Sequence, residues 1–176
     1  VLIISVVIIG VSLYGMKSID VSMNSMDFFQ EGSEIKYADE RLNTLLSGTQ
    51  ILNVNIESKD GVEVITPEVL SKIESFQKDV SAKFPIIGKT VSVNDFLKKM
   101  NQEMNGGKAE YYRIPGTAQM AKEYLLLYSG DLDDVISKKM DKLRIHISVK
   151  RTDMKEQERI REYAVAYFGG DFVVKS

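Results

Sequence analysis

The sequence predicts an α+β domain carried behind an uncharged leader, and three features of its 176 residues predict it. The first is the charge-free opening run from Val1 to Met16, VLIISVVIIGVSLYGM, which gives way at Lys17 to mixed, water-compatible sequence. The second is a strand–helix–strand pattern within residues 50–93. The third is another such pattern over residues 144–175, set apart from the first by residues 94–141. The chain therefore divides into a leader at 1–17, a connecting segment at 18–49 and a folded domain at 50–176.

At ~1.5 Å of rise per residue, the opening run covers about 24 Å as a helix, short of a ~30 Å hydrocarbon core. The run starts at Val1 and not at Met, so it reads as a transmembrane helix that is truncated. Two other readings are a buried core helix and the apolar part of a signal peptide. The second asks for a basic stretch ahead and a small-x-small site behind. The first of these is missing, and Tyr14-Gly15-Met16 is a poor version of the other.

Composition removes several function classes. The 23 basic and 25 acidic residues are intermixed and leave a net charge of -2, so there is no basic stripe for nucleic acid. The absence of Cys removes thiolate metal sites, cysteine nucleophiles and disulfides. A single His argues against His-based metal cages and His-dependent triads. No cofactor and no metal is expected.

Residues 18–30 leave the leader with a mixture of small, polar and apolar residues, and Phe28-Phe29 is expected to pack onto the domain, the other reading placing it at the lipid headgroups. Ser33 is placed to cap a helix over 35–46, where Ile35, Ala38, Leu42, Leu45 and Leu46 fall at helical spacing. After Gly48-Thr49 the period changes to two. Leu52, Val54 and Ile56 share one face of a strand over 50–57, with Asn53, Asn55 and Glu57 on the other. Residues 58–61 form a loop. Thr66-Pro67-Glu68 starts a helix in which Thr caps, Pro takes the first helical position and Glu meets the dipole. Val69, Ile73, Phe76 and Val80 line one face of it to about Lys83, Pro85 ends it, and residues 86–93 supply the next strand.

The closing unit repeats this grammar. Ile145, Ile147 and Val149 alternate with Arg144, His146 and Ser148. Thr152-Asp153 caps a helix to about Phe168 with Ile160, Tyr163, Ala164 and Tyr167 on one face. Gly169-Gly170 stops it before a last strand over 171–175. Two such units in one domain suggest the ferredoxin-like split βαβ sandwich, an antiparallel sheet backed by two helices. Residues 94–141 are then a helical insertion. Asn94 caps a helix to Met104, Asn105-Gly106-Gly107 breaks the chain, a helix spans 117–128, and Ser129-Gly130-Asp131 caps a short helix over 132–139. An insertion of this length is uncommon in a compact domain.

One family resembles this chain along nearly its whole length. The matching series is Asn24-Ser25-Met26, Gly32-Ser33, Gly48-Thr49, Thr66-Pro67-Glu68-Val69-Leu70, Gly88-Lys89-Thr90-Val91-Ser92, Met100-Asn101, Tyr111-Tyr112-Arg113-Ile114-Pro115 and Tyr124-Leu125-Leu126-Leu127-Tyr128-Ser129. It is similar to the large extracytoplasmic loop of exporters in the resistance-nodulation-division (RND) superfamily. The nearest branch is the hydrophobe and lipid exporters related to the mycobacterial large membrane proteins and hopanoid transporters. The loop looks most like that of the second six-helix half. The resemblance implies a porter domain of a proton-driven, non-enzymatic exporter in the bacterial inner membrane, with residues after about 18 extracytoplasmic. It also implies a hydrophobic small molecule or lipid as substrate, and other exporter subunits or a homo-oligomer as partners. The proton-carrying acidic groups of the family lie in membrane helices outside this sequence, and the branch has no fixed motif for substrate contact. Two other classes stay open, a membrane-anchored sensor and a protein-translocation accessory subunit.

The residues do not fit the enzyme and binding-module versions of the ferredoxin-like fold. An acylphosphatase-like site needs an Arg in the loop after the first strand, and Ser58-Lys59-Asp60-Gly61 has none. A copper carrier needs Cys-x-x-Cys. An RNA-binding sheet needs exposed aromatics on its central strands, where this chain has Asn53, Asn55, His146 and Ser148. His146 reads as a plain surface histidine, and Asp131, Asp133 and Asp134 as capping residues, because the Gly and Glu of a calcium loop are absent. Candidate substrate contacts are confined to the insertion: Met100, Met104, Tyr111, Tyr112, Ile114, Met120, Tyr124, Leu125, Leu127 and Tyr128. Adaptable Met and amphipathic Tyr suit variable hydrophobic ligands. The plainer reading, which weighs more, makes them the insertion's own small core or a subunit contact.

Overall fold

The computed structural model describes residues 28–58, 61, 63–128, 131–150, 154–169 and 172–175. The opening run and the Thr152-Asp153 cap lie outside the described residues. Among the described residues no helix is long and apolar enough to cross a membrane.

Helix α1 (Glu34–Leu45) is capped by Ser33, whose side chain accepts from the Lys36 amide. Strand β1 (Gln50–Ser58) leads to α2 (Pro67–Lys83), where Thr66 caps and Pro opens the first turn. Strand β2 (Ile87–Val91) is followed by α3 (Val93–Met104), a 3-10 turn at Ala109–Tyr111 and α4 (Ala118–Leu127). The closing unit is β3 (Lys142–Val149), α5 (Met154–Phe168) and β4 (Phe172–Lys175).

The sheet has the order β2-β3-β1-β4 with every neighbouring pair antiparallel. Each strand–helix–strand unit is therefore split by a strand of the other, and the class is α+β as the periodicity predicts. The β1–β3 register runs from Gln50↔Val149 to Glu57↔Lys142. It places Val54 and Ile56 opposite Ile145 and Leu143 on the buried face. Period two then puts Asn53, Asn55 and Glu57 opposite His146, Arg144 and Lys142 on the other face. Each of these polar pairs is bonded directly across the ladder, at 2.7, 2.7 and 3.4 Å respectively.

The core lies between the buried sheet face and α2 and α5. Phe76 is fully buried at its centre, with the rings of Phe168 at 4.9 Å, Tyr167 at 5.2 Å and Tyr163 at 6.1 Å. The same apolar cluster continues into the insertion through Val93, Leu97, Ala121, Tyr124 and Leu125. The insertion is thus part of the domain's own core. At Gly88 the β2–β3 register shifts, and a Cβ there would stand 1.7 Å from the Ser47 carbonyl oxygen. The corner between α1 and β1 can press this closely on β2 only because the position is Gly.

Three expectations are corrected. The cap of α3 is Ser92, in a capping box with Asp95, and Asn94 is fully buried, donating to the Leu70 carbonyl at 2.7 Å. No helix forms over 132–139. The amides of Val135 and Ile136 share the Leu132 carbonyl in one turn, after which Ile136 bridges to Leu143 of β3. Pairing to the sheet edge wins over helix propagation in so short a segment. Phe28 does not pack onto the domain, being 73% exposed, while Phe29 is partly covered at 38%. Helix α1 forms as predicted, with its apolar face turned outward.

A groove between the open sheet face and the insertion

Two concavities border the sheet face that carries no helix. The larger, of about 560 Å³, is lined by Lys89, Val91, Asp95, Phe96, Lys99, Met100, Tyr112 and Tyr128. Lys89 and Val91 lie opposite Ser148 and His146 on the neighbouring strand, so they belong to the polar side of the sheet, at its β2 edge. The other wall is α3, where Phe96, Lys99 and Met100 fall at i, i+3 and i+4 on one side of the helix. Phe96 meets Tyr128 edge to face at 5.8 Å.

Tyr112 is positioned by a buried amide. Asn101 of α3 is 5% exposed, and its Nδ2 donates to the carbonyls of Tyr111 at 2.9 Å and Arg113 at 3.1 Å. Its Oδ1 accepts from the Tyr124 hydroxyl at 3.3 Å and from Asn105 Nδ2 at 3.2 Å. One side chain therefore fixes the 109–114 segment and α4 against α3. The Lys98 ammonium lies 5.5 Å from the Tyr112 ring centre while pairing with Glu74 at 3.2 Å.

The charges at the groove are largely committed. Asp95 accepts from the Ser92 amide at 2.9 Å and from Gln77 at 3.5 Å. Lys99 pairs with Glu103 at 2.6 Å. Lys89 is exposed and makes no ion pair with a described residue. The lining offers no nucleophile beside a base. What it supports is non-covalent binding of an apolar body, with Lys89 at the rim.

Of the ten insertion residues singled out by sequence, the structure brings Met100, Tyr112 and Tyr128 together in this groove. Tyr124 and Leu125 are core residues at 8% and 7% exposure, and Ile114 packs against the core. Tyr111 is half-buried with the Arg113 guanidinium 5.7 Å from its ring. Met104, Met120 and Leu127 are exposed away from the groove lining. Sequence reasoning missed Phe96, Val91 and Lys89. The i, i+4 pair Phe96 and Met100 was the available signal.

The second concavity, of about 240 Å³, is polar: Asn55, Glu57, Lys142 and Arg144 form its floor, and Asp133, Ile136 and Ser137 one side. The Ser137 hydroxyl donates to Asp141 at 2.6 Å and holds that carboxyl below its ordinary 3.8. His146 lies between the two concavities, its ring nitrogens 2.7 Å from Asn53 Oδ1 and 3.0 Å from the Asp134 carbonyl. Among the described residues no group of three or more His, Asp or Glu could hold a metal ion. Compared with known proteins, the chain matches no family model, no curated protein and no solved structure.

Proposed function

We propose that this chain is the extracytoplasmic, ferredoxin-like porter domain of an RND-type exporter, and that the 560 Å³ groove is one station on the path of a hydrophobic or lipid-like substrate. The strand order β2-β3-β1-β4, with each unit split by the other, agrees with that sandwich. The observation that carries the functional reading is the groove itself. Its volume falls in the range of small-molecule sites, and its walls combine aromatic rings with Met. The uncharged run Val1–Met16 would tether the domain to the bacterial cell membrane. Proton coupling belongs to helices outside this sequence, and the domain itself does no covalent chemistry.

The test uses the full exporter. Phe96→Asp and Tyr112→Asp should each reduce export of a hydrophobic dye at unchanged protein level, because a carboxylate in an apolar groove carries a large desolvation cost. Leu127→Asp, at an exposed position outside the groove, should leave export unchanged. Normal export by both groove variants would remove the groove from the path. The polar concavity around Arg144 favours a second reading, a membrane-anchored domain that senses a small polar ligand without transport. About twelve spanning segments with acidic residues in the central helices would favour the exporter, and one or two spans with a cytoplasmic signalling domain the sensor.

A further inference from the structure

Helix α1 presents the wrong side to its own domain. At 100° per residue, Ile35, Ala38, Leu42, Leu45 and Leu46 share an arc of about 100°. Ile35, Leu42, Leu45 and Leu46 are 50%, 46%, 69% and 62% exposed. Lys36, a third of a turn away from Ile35, is 8% exposed and pairs with Glu31. Asn43, on the same side as Lys36, accepts from the Thr49 amide at 3.2 Å and hydroxyl at 3.0 Å. The polar side is thus used for local bonding, and the apolar stripe has no partner among the described elements. Just ahead of the helix, Phe28 adds an uncovered apolar side chain and Phe29 a partly covered one.

The sequence says what lies within reach. Residues 17–27 alone separate the uncharged run from Phe28, and at ~3.3–3.6 Å per residue they extend about 40 Å at most. Whatever apolar phase holds the run is therefore close to α1. Three acidic and two basic residues on α1 give it no affinity for an anionic surface. Insertion of apolar side chains, and not charge, must drive the contact.

We propose that α1 lies along the outer surface of the membrane, with Phe28, Phe29 and the Ile35–Leu46 stripe at the boundary between headgroups and acyl chains. This rests on reading Val1–Met16 as a membrane anchor. The tether makes the contact intramolecular, so a short stripe suffices where a free helix would bind weakly. The domain is then held in one orientation against the bilayer.

The chain contains no Cys, so single-cysteine labels report one site each. The full chain carrying Ile8→Cys, Leu42→Cys or Glu40→Cys is reconstituted into phosphatidylcholine vesicles and labelled with a polarity-sensitive fluorophore. Spin-labelled lipid is the quencher. The expected result is a blue shift and lipid quenching at positions 8 and 42, with neither at position 40. Quenching at position 8 without position 42 overturns the surface contact and leaves the anchor standing. Quenching at position 42 alone keeps the contact and overturns the anchor. Quenching at neither overturns both. A label at position 42 that is shielded from aqueous iodide but unquenched by lipid means that protein covers the stripe, either a second copy or the opening run, and the inference fails.

Discussion

Replacing Asn101 should loosen the insertion and the groove together. Asn101→Ala deletes two donated and two accepted hydrogen bonds in a buried setting. The carbonyls of Tyr111 and Arg113 sit near the surface, so water recovers part of their loss. The Tyr124 hydroxyl is enclosed, and leaving it without a partner costs about 1–3 kcal/mol. With net values near 1 kcal/mol for the other bonds and partial recovery, the expected destabilisation is about 2–4 kcal/mol. Urea unfolding in mild detergent reads it as a lower midpoint at constant slope. A double-mutant cycle then isolates the mechanism. In a Tyr124→Phe background, which lacks the hydroxyl, Asn101→Ala should cost about 1 kcal/mol less. Because Tyr112 lies between the two carbonyls held by Asn101, binding of a hydrophobic probe should weaken as well. A cost below about 0.5 kcal/mol, or strict additivity with Tyr124→Phe, would refute the role assigned to this amide.

Gly88→Ala forces a Cβ against the Ser47 carbonyl and should destabilise at the upper end of about 1–3 kcal/mol, measured as a shift in thermal midpoint. Asp141, whose carboxyl is held below 3.8 chiefly by the Ser137 hydroxyl, stabilises the 137–142 turn above that pH and ceases to do so as pH falls through its lowered value. Amide protection in the turn, taken relative to the intrinsic exchange rate at each pH, should fall below pH 3.8, and Ser137→Ala should abolish the step. Tyr167 is shifted the other way, above 10.0, first by burial and then by the Asp79 carboxylate that accepts its hydroxyl at 3.3 Å. Its contribution is present below 10.0 and is lost as pH rises through the raised value, so Asp79→Asn should bring phenolate absorbance in at lower pH.

The strands were legible because period two is written directly into β1 and β3: Val54 and Ile56 go in, Asn53 and Asn55 go out. The start of α2 was legible for a related reason, since Thr66-Pro67-Glu68 carries its cap, its first residue and its charge in consecutive letters. Illegible features depend on contacts distant in sequence. Ser92 and Asn94 are both good caps, and the choice between them turns on the Leu70 carbonyl, which captures Asn94 from 24 residues away. Leu132, Val135 and Ile136 have helical spacing, yet Leu143 gives Ile136 a bridge to the sheet edge instead. Asn101 reads as one more polar residue on a helix, and nothing local marks it as the point where three segments meet.

Periodicity also states which side chains share a side without stating what that side faces. In the core helices the two coincide, because the nearest apolar surface is the sheet. In α1 they part: Ile35 is 50% exposed while Lys36 is 8% exposed, the reverse of what hydrophobicity ranks. Leu42, Leu45 and Leu46 are 46%, 69% and 62% exposed, so covering them would gain about half to two-thirds of the ~1.5–3 kcal/mol that full withdrawal from water is worth for each. A helix that leaves that gain unrealised within its own fold, with residues 17–33 between it and an uncharged run, fits the surface contact proposed above. The groove at the β2 edge of the sheet leaves apolar surface open on a smaller scale. Phe96 meets Tyr128 edge to face, and with Met100 and Tyr112 the two rings leave apolar surface lining the groove.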